Sequence, residues 1–193
     1  MTSDDNTADN AADTDALPHH FRYARVLSIA GSDSGGGAGI QADLKTFSAL
    51  GCYGMTAITA ITAQNTVGVS AIHGVPPEVL RAQIRAVLDD IGADAIKIGM
   101  LHSPEVVGVV AQALDEYRIA NVVLDPVMVA TSGDRLRAQE TVQVLVAEWC
   151  HRATLVTPNL DEAEWLLGRS ISQAGEFDAA AGDLLALGAR AAL

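Results

Sequence analysis

Residues 30–46 of this chain read AGSDSGGGAGIQADLKT, a glycine-rich turn between a strand-like and a helix-like segment. Five of the nine residues from Gly31 to Gly39 are glycines. Glycine loses more conformational entropy on folding than any other residue, so it is useful mainly where φ is positive or where another group approaches the backbone. A single tight turn does not need five of them. The stretch therefore predicts a ligand that lies against the main chain.

Around this turn, short apolar runs alternate with amphipathic segments. Directly after it, Ile40, Leu44 and Phe47 recur at the spacing of one helix face. We predict strands at residues 26–30, 55–63, 95–99, 121–124 and 153–156, and helices from residue 40, from residue 76 and over 103–117, 140–150, 159–167 and 177–187. Continuous apolar strands separated by amphipathic helices indicate a parallel sheet covered on both faces. Such sheets bind ligands beyond the carboxyl ends of their strands.

The composition restricts the partners. The formal net charge is −12, and 49% of the residues are hydrophobic. Nucleic-acid binding needs a basic surface, which an acidic chain lacks. No run reaches the ~18–20 consecutive apolar residues of a membrane span. We therefore expect a partner that is neither nucleic acid nor membrane.

The N-terminus and the cysteines bear on location. Residues 1–21 contain several aspartates and no Lys or Arg, which predicts a disordered acidic tail before one domain at residues 22–193. A secretory signal needs a basic start and an apolar segment, so we expect a cytoplasmic protein. Cys52 and Cys150 have no ligand set spaced around them, and we expect neither zinc nor a disulfide.

Asp43 and Gln64 are two candidate pocket residues. Asp43 borders the apolar stripe of its predicted helix, where it is either a solvated helix-face carboxylate or a partly buried hydrogen-bond acceptor. Gln64 ends a predicted strand and can donate and accept together, as the edge of a heterocycle requires, or else it caps a loop.

Asp125 and the pair Asn159 and Glu162 follow two other predicted strands. Asp125 precedes a proline, so it either holds Mg²⁺ or a reacting hydroxyl or only caps a turn. Asn159 with Glu162 three residues later has the spacing of a capping box, which explains both residues without a ligand.

Two nucleotide-binding motifs fit the glycine turn poorly. Residues 37–42 have the glycine spacing of a dinucleotide fingerprint, but that fingerprint needs a carboxylate at the end of the second strand, and the chain reads AQN there. A phosphate-binding loop would need Gly-Lys-Ser/Thr after the glycines, and none follows.

The chain carries six motifs in order, which are AGSDS at 30–34 with GGAGIQADLKT at 36–46, TAQNT at 62–66, KIGML at 97–101, VLDPVM at 123–128, SGD at 132–134, and TPNL at 157–160 with Glu162. From about residue 26 to the last residue, these motifs resemble the hydroxymethylpyrimidine and hydroxymethylpyrimidine-phosphate kinases of thiamine biosynthesis, in the ribokinase-like superfamily. The resemblance implies a three-layer α/β/α sandwich with a mostly parallel central sheet, incomplete at its C-terminus.

The resemblance also implies an activity. The γ-phosphate of ATP would pass to the 5-hydroxymethyl group of 4-amino-5-hydroxymethyl-2-methylpyrimidine and then to the resulting monophosphate, in a homodimer. The residues implied to line the pyrimidine pocket are Gly31, Ala38, Asp43, Gln64, Met100 and Val127. Asp125, Asn159 and Glu162 would position Mg²⁺ and the nucleotide phosphates, with Asp125 and Glu162 as metal ligands, directly or through water.

The chain departs from the family at two places. Gly35 stands where relatives commonly carry Ser, from which we expect a looser turn. Family members also carry a Lys-Gly-Gly strand end and a second glycine loop, Gly-Thr-Gly-Cys, which supplies the anion hole and the proposed base. Leu193 falls just before that lysine, so we expect a fragment without catalytic residues that transfers phosphate poorly or not at all.

Three other functions compete. A pyridoxal or pyridoxine kinase on the same scaffold shares the glycine turn but differs from the motif at 64–66. A non-catalytic pyrimidine-binding protein would explain the missing second loop. A dehydrogenase with a dinucleotide fold is the remaining alternative.

Overall fold

A computed structural model describes residues 22–127 and 143–193. Its strands are β1 (Arg25–Ala30), β2 (Tyr53–Ile58), β3 (Ala60–Gln64), β4 (Val69–Gly74), β5 (Ala95–Ile98), β6 (Val122–Leu124) and β7 (Leu155–Val156). Its helices are α1 (Gly39–Ala49), α2 (Pro77–Asp90), α3 (Pro104–Tyr117), α4 (143–149), α5 (Leu160–Leu167) and α6 (Phe177–Ala186), with a 3₁₀ turn at Ala174–Glu176. Residues 1–21, residues 140–142 and the SGD motif at 132–134 lie outside the described residues.

The central sheet has the order β2-β1-β5-β6-β7, and every neighbouring pair in it is parallel. Ala192 adds an isolated parallel bridge to Val156. The predicted parallel α/β architecture is therefore confirmed. Because the chain runs from β1 to β2 on one side and later returns to β5 on the other, the order reverses direction at β1. Doubly wound folds bind ligands at such a switch point.

The sheet separates two layers of helices. Strand side chains alternate between its faces. Ser28 on β1 points toward α1, where its hydroxyl bonds Asp43. The alternate residues Leu27 and Ile29 are fully buried and belong to one apolar cluster with the inward residues of α2 and α3. One face of β1 therefore directs Ser28 toward α1, while the other face packs into the apolar core.

The predicted strand at 55–63 was wrong in extent. The chain leaves the sheet after Ile58, where Thr59 N donates to Ala30 O at 2.9 Å, and it then forms β3, which pairs with β4 in an antiparallel hairpin. The run MTAITAITA gives no sign of this break, since it contains neither glycine nor proline. The strand β4 was missed because most of its residues are exposed and its pattern is mixed.

Two predicted helix starts, near Ser103 and Pro76, are confirmed. Ser103 Oγ accepts from Val106 N at 3.3 Å, and a proline occupies the first turn of α3 as in α2, where the missing N–H costs no hydrogen bond. The predicted helix at 140–150 is described from residue 143 onward. No helix among the described residues is long and apolar enough to cross a membrane.

Candidate active site

The carboxyl ends of β1, β5 and β6 meet at one edge of the sheet. Beyond the strands, the hydrogen-bond ladder continues from Gly99 N to Ile29 O at 3.0 Å and from Asp125 N to Ile98 O at 2.8 Å. These bonds fix the residues that follow each strand side by side. The structure thus brings the predicted residues Gly31, Met100 and Asp125 to the same edge.

Four polar side chains form a cluster at this edge, which we call the lysine cluster: Ser28, Asp43, Lys97 and Asp125. Lys97 Nζ lies 3.3 Å from Asp43 Oδ1 and 3.1 Å from Asp125 Oδ2. The other oxygen of Asp43 accepts from Ser28 Oγ at 2.6 Å. Ser28 and Lys97 are register partners in adjacent strands, so their side chains lie on the same face.

The charges of the lysine cluster are largely shielded from water. The side chains of Lys97 and Asp43 are 19% and 14% exposed, and that of Asp125 is 33% exposed. Burying a charge is costly unless it is paired and hydrogen-bonded, and here each charge has an opposite partner. Asp43 is thus the partly buried acceptor, not the solvated helix-face residue.

Sequence reasoning assigned no role to Lys97. Its signal was a single charged residue inside the apolar strand β5, AIKI, in a chain with only two lysines. A charge in a sheet interior needs a partner, but the pattern alone does not identify Asp43 and Asp125 as that partner.

The glycine turn is organised by Asp33, which sequence reasoning also missed. Its Oδ1 accepts from Gly35 N at 2.7 Å, and its Oδ2 accepts from Gly37 N at 2.9 Å and Ala38 N at 2.8 Å. Burial raises the pKa of Asp33, but donation from these backbone N–H groups outweighs it, and the pKa lies below its usual value.

These bonds change the interpretation of the turn. The N–H groups of Gly35, Gly37 and Ala38 are directed at a carboxylate of the chain itself, so they are not an open cradle for an anion. The prediction that the turn offers bare backbone to a ligand therefore does not hold at these three N–H groups. Gln41 Oε1 accepts from Asp33 N at 2.7 Å and closes the same turn from α1.

Close packing explains two of the glycines. A Cβ at Gly31 would lie 2.5 Å from Met100 Cε, so the predicted pocket residues Gly31 and Met100 are in contact. Gly39 has φ +55°, and a Cβ there would overlap the carbonyl oxygen of Gly31, which also accepts from Ile40 N at 3.0 Å. The first turn of α1 therefore lies directly on the end of β1.

Gln64 ties the hairpin to the glycine turn. Its backbone O accepts from Ser34 Oγ at 2.6 Å, and its N donates to the same hydroxyl at 2.8 Å. Its side-chain Oε1 lies 3.2 Å from Thr62 Oγ1. Gln64 ends a strand as predicted, but that strand belongs to the hairpin and not to the central sheet.

Two predicted residues, Asp125 and Val127, follow β6, and a third, Ala38, lies at the end of the glycine turn. Val127 N donates to Asp125 O at 2.8 Å, which makes a tight turn after Asp125. Ala38 is the N-cap position of α1 and contributes only its backbone to the bonds with Asp33.

Asn159 and Glu162 form the capping box that their spacing predicts. Glu162 N donates to Asn159 Oδ1 and Asn159 N donates to Glu162 Oε2, both at 2.9 Å. The capping interpretation is therefore correct, and a ligand role for the pair stays a prediction. Within residues 22–127 and 143–193, no three His, Cys, Asp or Glu residues cluster as a metal site.

Comparison with known proteins identifies a family of kinases. The family model described as phosphomethylpyrimidine kinase matches residues 33–193. The hydroxymethylpyrimidine/phosphomethylpyrimidine kinase of Bacillus subtilis is 48% identical over 166 residues, which cover 86% of this chain and 61% of the relative. The chain spans between 27% and 64% of the length of eight curated relatives that it matches.

Solved structures give the same fold. The phosphomethylpyrimidine kinase of Clostridium difficile superposes with a TM-score of 0.79 at 45% identity, over 88% of this chain and 74% of the other. The pyridoxal kinase of Staphylococcus aureus, solved with AMP-PCP and pyridoxal, superposes with a TM-score of 0.78 at 36% identity, over 88% of this chain and 61% of the other.

Proposed function

Because the chain belongs to the phosphomethylpyrimidine kinase family, we propose that it forms the pyrimidine-binding part of an enzyme of thiamine biosynthesis. That enzyme transfers the γ-phosphate of ATP to 4-amino-5-hydroxymethyl-2-methylpyrimidine and then to its monophosphate. Membership of the family supports the reaction type. The Bacillus subtilis relative is longer than the present chain, which matches 61% of its length. The activity is therefore proposed for the protein to which these residues contribute.

The observation that carries the proposal is the partly buried carboxylate of Asp43, which is held at both oxygens. Ser28 and Lys97 hold its two oxygens at 2.6 Å and 3.3 Å, at the switch point of the sheet. A carboxylate oxygen accepts more than one hydrogen bond, so Asp43 can also accept from an amino group of the ring. Recognition by a buried polar group rejects rings that lack the matching donor, because the group is then left unpaired.

The remaining pocket residues orient the ring. Met100 packs against Gly31 and supplies an apolar surface, while Gln64 stands on the hairpin that joins the glycine turn. Ala38 and Val127 complete the proposed pocket. Its role is to hold the hydroxymethyl oxygen in line with the phosphorus that it attacks, since positioning accounts for most of the catalysis of phosphoryl transfer.

ATP and Mg²⁺ are the proposed co-reactants. Mg²⁺ binds through one or two carboxylates together with substrate phosphates and water, and not through an all-protein cage. Asp125, one of the two carboxylates of the lysine cluster, has this chemistry, and Glu162 with Asn159 is the second candidate. Bound Mg²⁺ would neutralise charge on the phosphate oxygens. We assign orientation and binding, but no proton acceptor, to the residues of this chain.

The proposal also includes a homodimer in the cytoplasm. Support for the location comes from the two cysteines, because Cys52 and Cys150 are both free thiols. Support for the dimer comes from the family resemblance. Sedimentation of the purified chain would decide the oligomeric state.

Isothermal titration of the 193-residue chain with 4-amino-5-hydroxymethyl-2-methylpyrimidine tests the proposed function. We expect saturable binding at a single site without ATP, and a loss of about tenfold or more in affinity in Asp43→Asn. Arg85→Met is the control, since it removes the cation of an exposed ion pair with Glu116, which belongs to α3 and not to the proposed pocket. Absence of binding by the unmodified chain would refute the proposal.

Pyridoxal is the second candidate substrate, because solved pyridoxal kinases superpose on this chain. The same titration with pyridoxal separates the two. We expect the aminopyrimidine to bind more tightly, since family membership favours it. Tighter binding of pyridoxal would reverse the assignment.

A further inference from the structure

We propose that Lys97 is a positioning residue of the pyrimidine site, which fixes the Asp43 carboxylate for ring recognition and couples it to Asp125. The inference rests on the proposed function and extends it, because it names what sets the selectivity for the amino-substituted ring. Lys97 does not itself contact the ring in this proposal. It acts through Asp43.

The first step of the argument is electrostatic. Two carboxylates, Asp43 and Asp125, each place one oxygen within 3.3 Å of the same Nζ. Without the ammonium, two like charges would share a region from which water is largely excluded, where their repulsion is weakly screened. At least one of them would then turn away. The ammonium is therefore a condition for both carboxylates to face the same edge.

The second step concerns rigidity. Lys97 lies in β5, which pairs with β1 on one side and with β6 on the other. Its backbone is thus fixed between two strands, and the reach of its side chain is limited to this edge. Asp43, in contrast, lies on α1, and its direction depends on what its oxygens contact. Lys97 takes Oδ1 and Ser28 takes Oδ2, so the carboxylate plane is held from two strands.

The third step links orientation to selectivity. A carboxylate held at both oxygens accepts from a donor in one direction, which favours a ring with an amino group at the matching position. A carboxylate that can rotate binds less strongly and discriminates less between rings. The selectivity between an aminopyrimidine and its analogue without the amino group therefore reports on Lys97.

The experiment titrates the 193-residue chain with two probes, 4-amino-5-hydroxymethyl-2-methylpyrimidine and 5-hydroxymethyl-2-methylpyrimidine. Lys97→Met removes the charge and keeps most of the side-chain length, and Lys97→Arg keeps the charge. The double variant Lys97→Met/Asp125→Asn removes the repulsion as well, and Arg85→Met is the surface control. Thermal unfolding of each variant shows that it is folded.

We expect Lys97→Met to lose about tenfold in affinity for the aminopyrimidine and to discriminate less between the two probes. The double variant should bind more tightly than Lys97→Met alone, because only one negative charge remains; a merely structural role would not produce this recovery. Lys97→Arg should keep most of the discrimination, and Arg85→Met should match the unmodified chain.

Two results would overturn the inference while the proposed function stands: unchanged discrimination in folded Lys97→Met, or a double variant that binds no better than the single one. If Lys97→Met does not fold, the neutral variant Lys97→Gln takes its place. A folded Lys97→Gln that discriminates less between the two probes supports the inference, and one with unchanged discrimination overturns it. Failure of the unmodified chain to bind the aminopyrimidine refutes the proposed function itself, and this inference with it.

Discussion

Asp33 and Asp43 are ten residues apart and flank the start of α1, yet their carboxylates serve different purposes. Asp33 accepts from backbone N–H groups within five residues of itself. Asp43 contacts Ser28 on β1 and Lys97 on β5. A carboxylate that is satisfied by its own loop shapes the backbone, whereas one held by distant side chains marks the place where elements meet. The contrast between the glycine turn and the lysine cluster yields four predictions.

The largest effect is expected from Gly39→Ala in the glycine turn. Its φ of +55° is unfavourable for alanine, and the added Cβ would overlap the Gly31 carbonyl oxygen, which is backbone and cannot move aside. We expect a loss of roughly 2–4 kcal/mol in the free energy of unfolding, measured by urea denaturation. Gly108→Ala is the control, because nothing lies within 4 Å of a Cβ there and α3 should gain stability. Equal effects at both positions would mean that α1 does not rest on β1 as described.

Asp33→Asn and Asp43→Asn should differ in their effects on stability and on pyrimidine binding. An amide offers one oxygen where Asp33 offers two, so its NH₂ group would face either Gly35 N or the pair Gly37 N and Ala38 N, and at least one donor would lose its acceptor. We expect a lower thermal unfolding midpoint together with weaker pyrimidine binding. Asp43→Asn should weaken binding by about tenfold or more with a smaller change in the midpoint. The contrast would be contradicted if Asp33→Asn weakened pyrimidine binding without lowering the unfolding midpoint.

How far the sequence predicts this site depends on the range of the contacts. The capping box at Asn159 and the cap at Ser103 are confirmed, because both depend on residues three apart in the chain. The parallel sheet was predictable from continuous apolar runs that alternate with amphipathic segments. Gly31, Met100 and Asp125 lie at one edge because the carboxyl ends of parallel strands share it, while their roles in a pocket stay predictions.

The missed features are of another kind. The role of Lys97 depends on its register opposite Ser28, and no local pattern encodes the pairing of β1 with β5. The break between β2 and β3 depends on Thr59, whose hydroxyl donates to Met100 O at 2.7 Å across the fold. The glycines indicated an unusual backbone. Whether its N–H groups donate to a ligand or to Asp33 depends on how the turn bends, which the sequence does not show.

The pH dependence of stability gives a third prediction. The pKa of Asp33 is lowered in the folded chain, so its stabilising effect is complete above the ordinary pKa of the carboxyl, 3.8, and is lost as the pH falls through the lower folded value. We expect the unmodified chain and Asp33→Asn to differ in unfolding midpoint at pH 7, and the difference to shrink as the pH falls below 3.8 and through the lower folded pKa of Asp33.

Other groups titrate in that experiment and are separated by the same comparison. Arg152 lowers the pKa of Asp115, which adds acid sensitivity to both variants equally. Burial lowers the pKa of His102. Protonation of His102 therefore lowers the stability of the folded chain as the pH drops below the ordinary value of 6.5, again in both variants. A constant difference between the variants from pH 7 to pH 3 would contradict the assignment to Asp33.

The smallest effect is expected from removing the N-cap of α5, which tests whether Asn159 only caps the helix or also binds the nucleotide. Asn159→Ala and Ser103→Ala each remove one N-cap and should each cost about 1 kcal/mol of stability. If Asn159 also positions the nucleotide, the affinity for AMP-PCP falls in Asn159→Ala and not in Ser103→Ala, which isothermal titration would measure. Equal affinities in two equally destabilised variants would restrict Asn159 to capping. Asn159 would then resemble Asp33, whose oxygens accept from neighbouring backbone N–H groups, and Asp125 and Glu162 would remain as the carboxylates proposed to reach the phosphates.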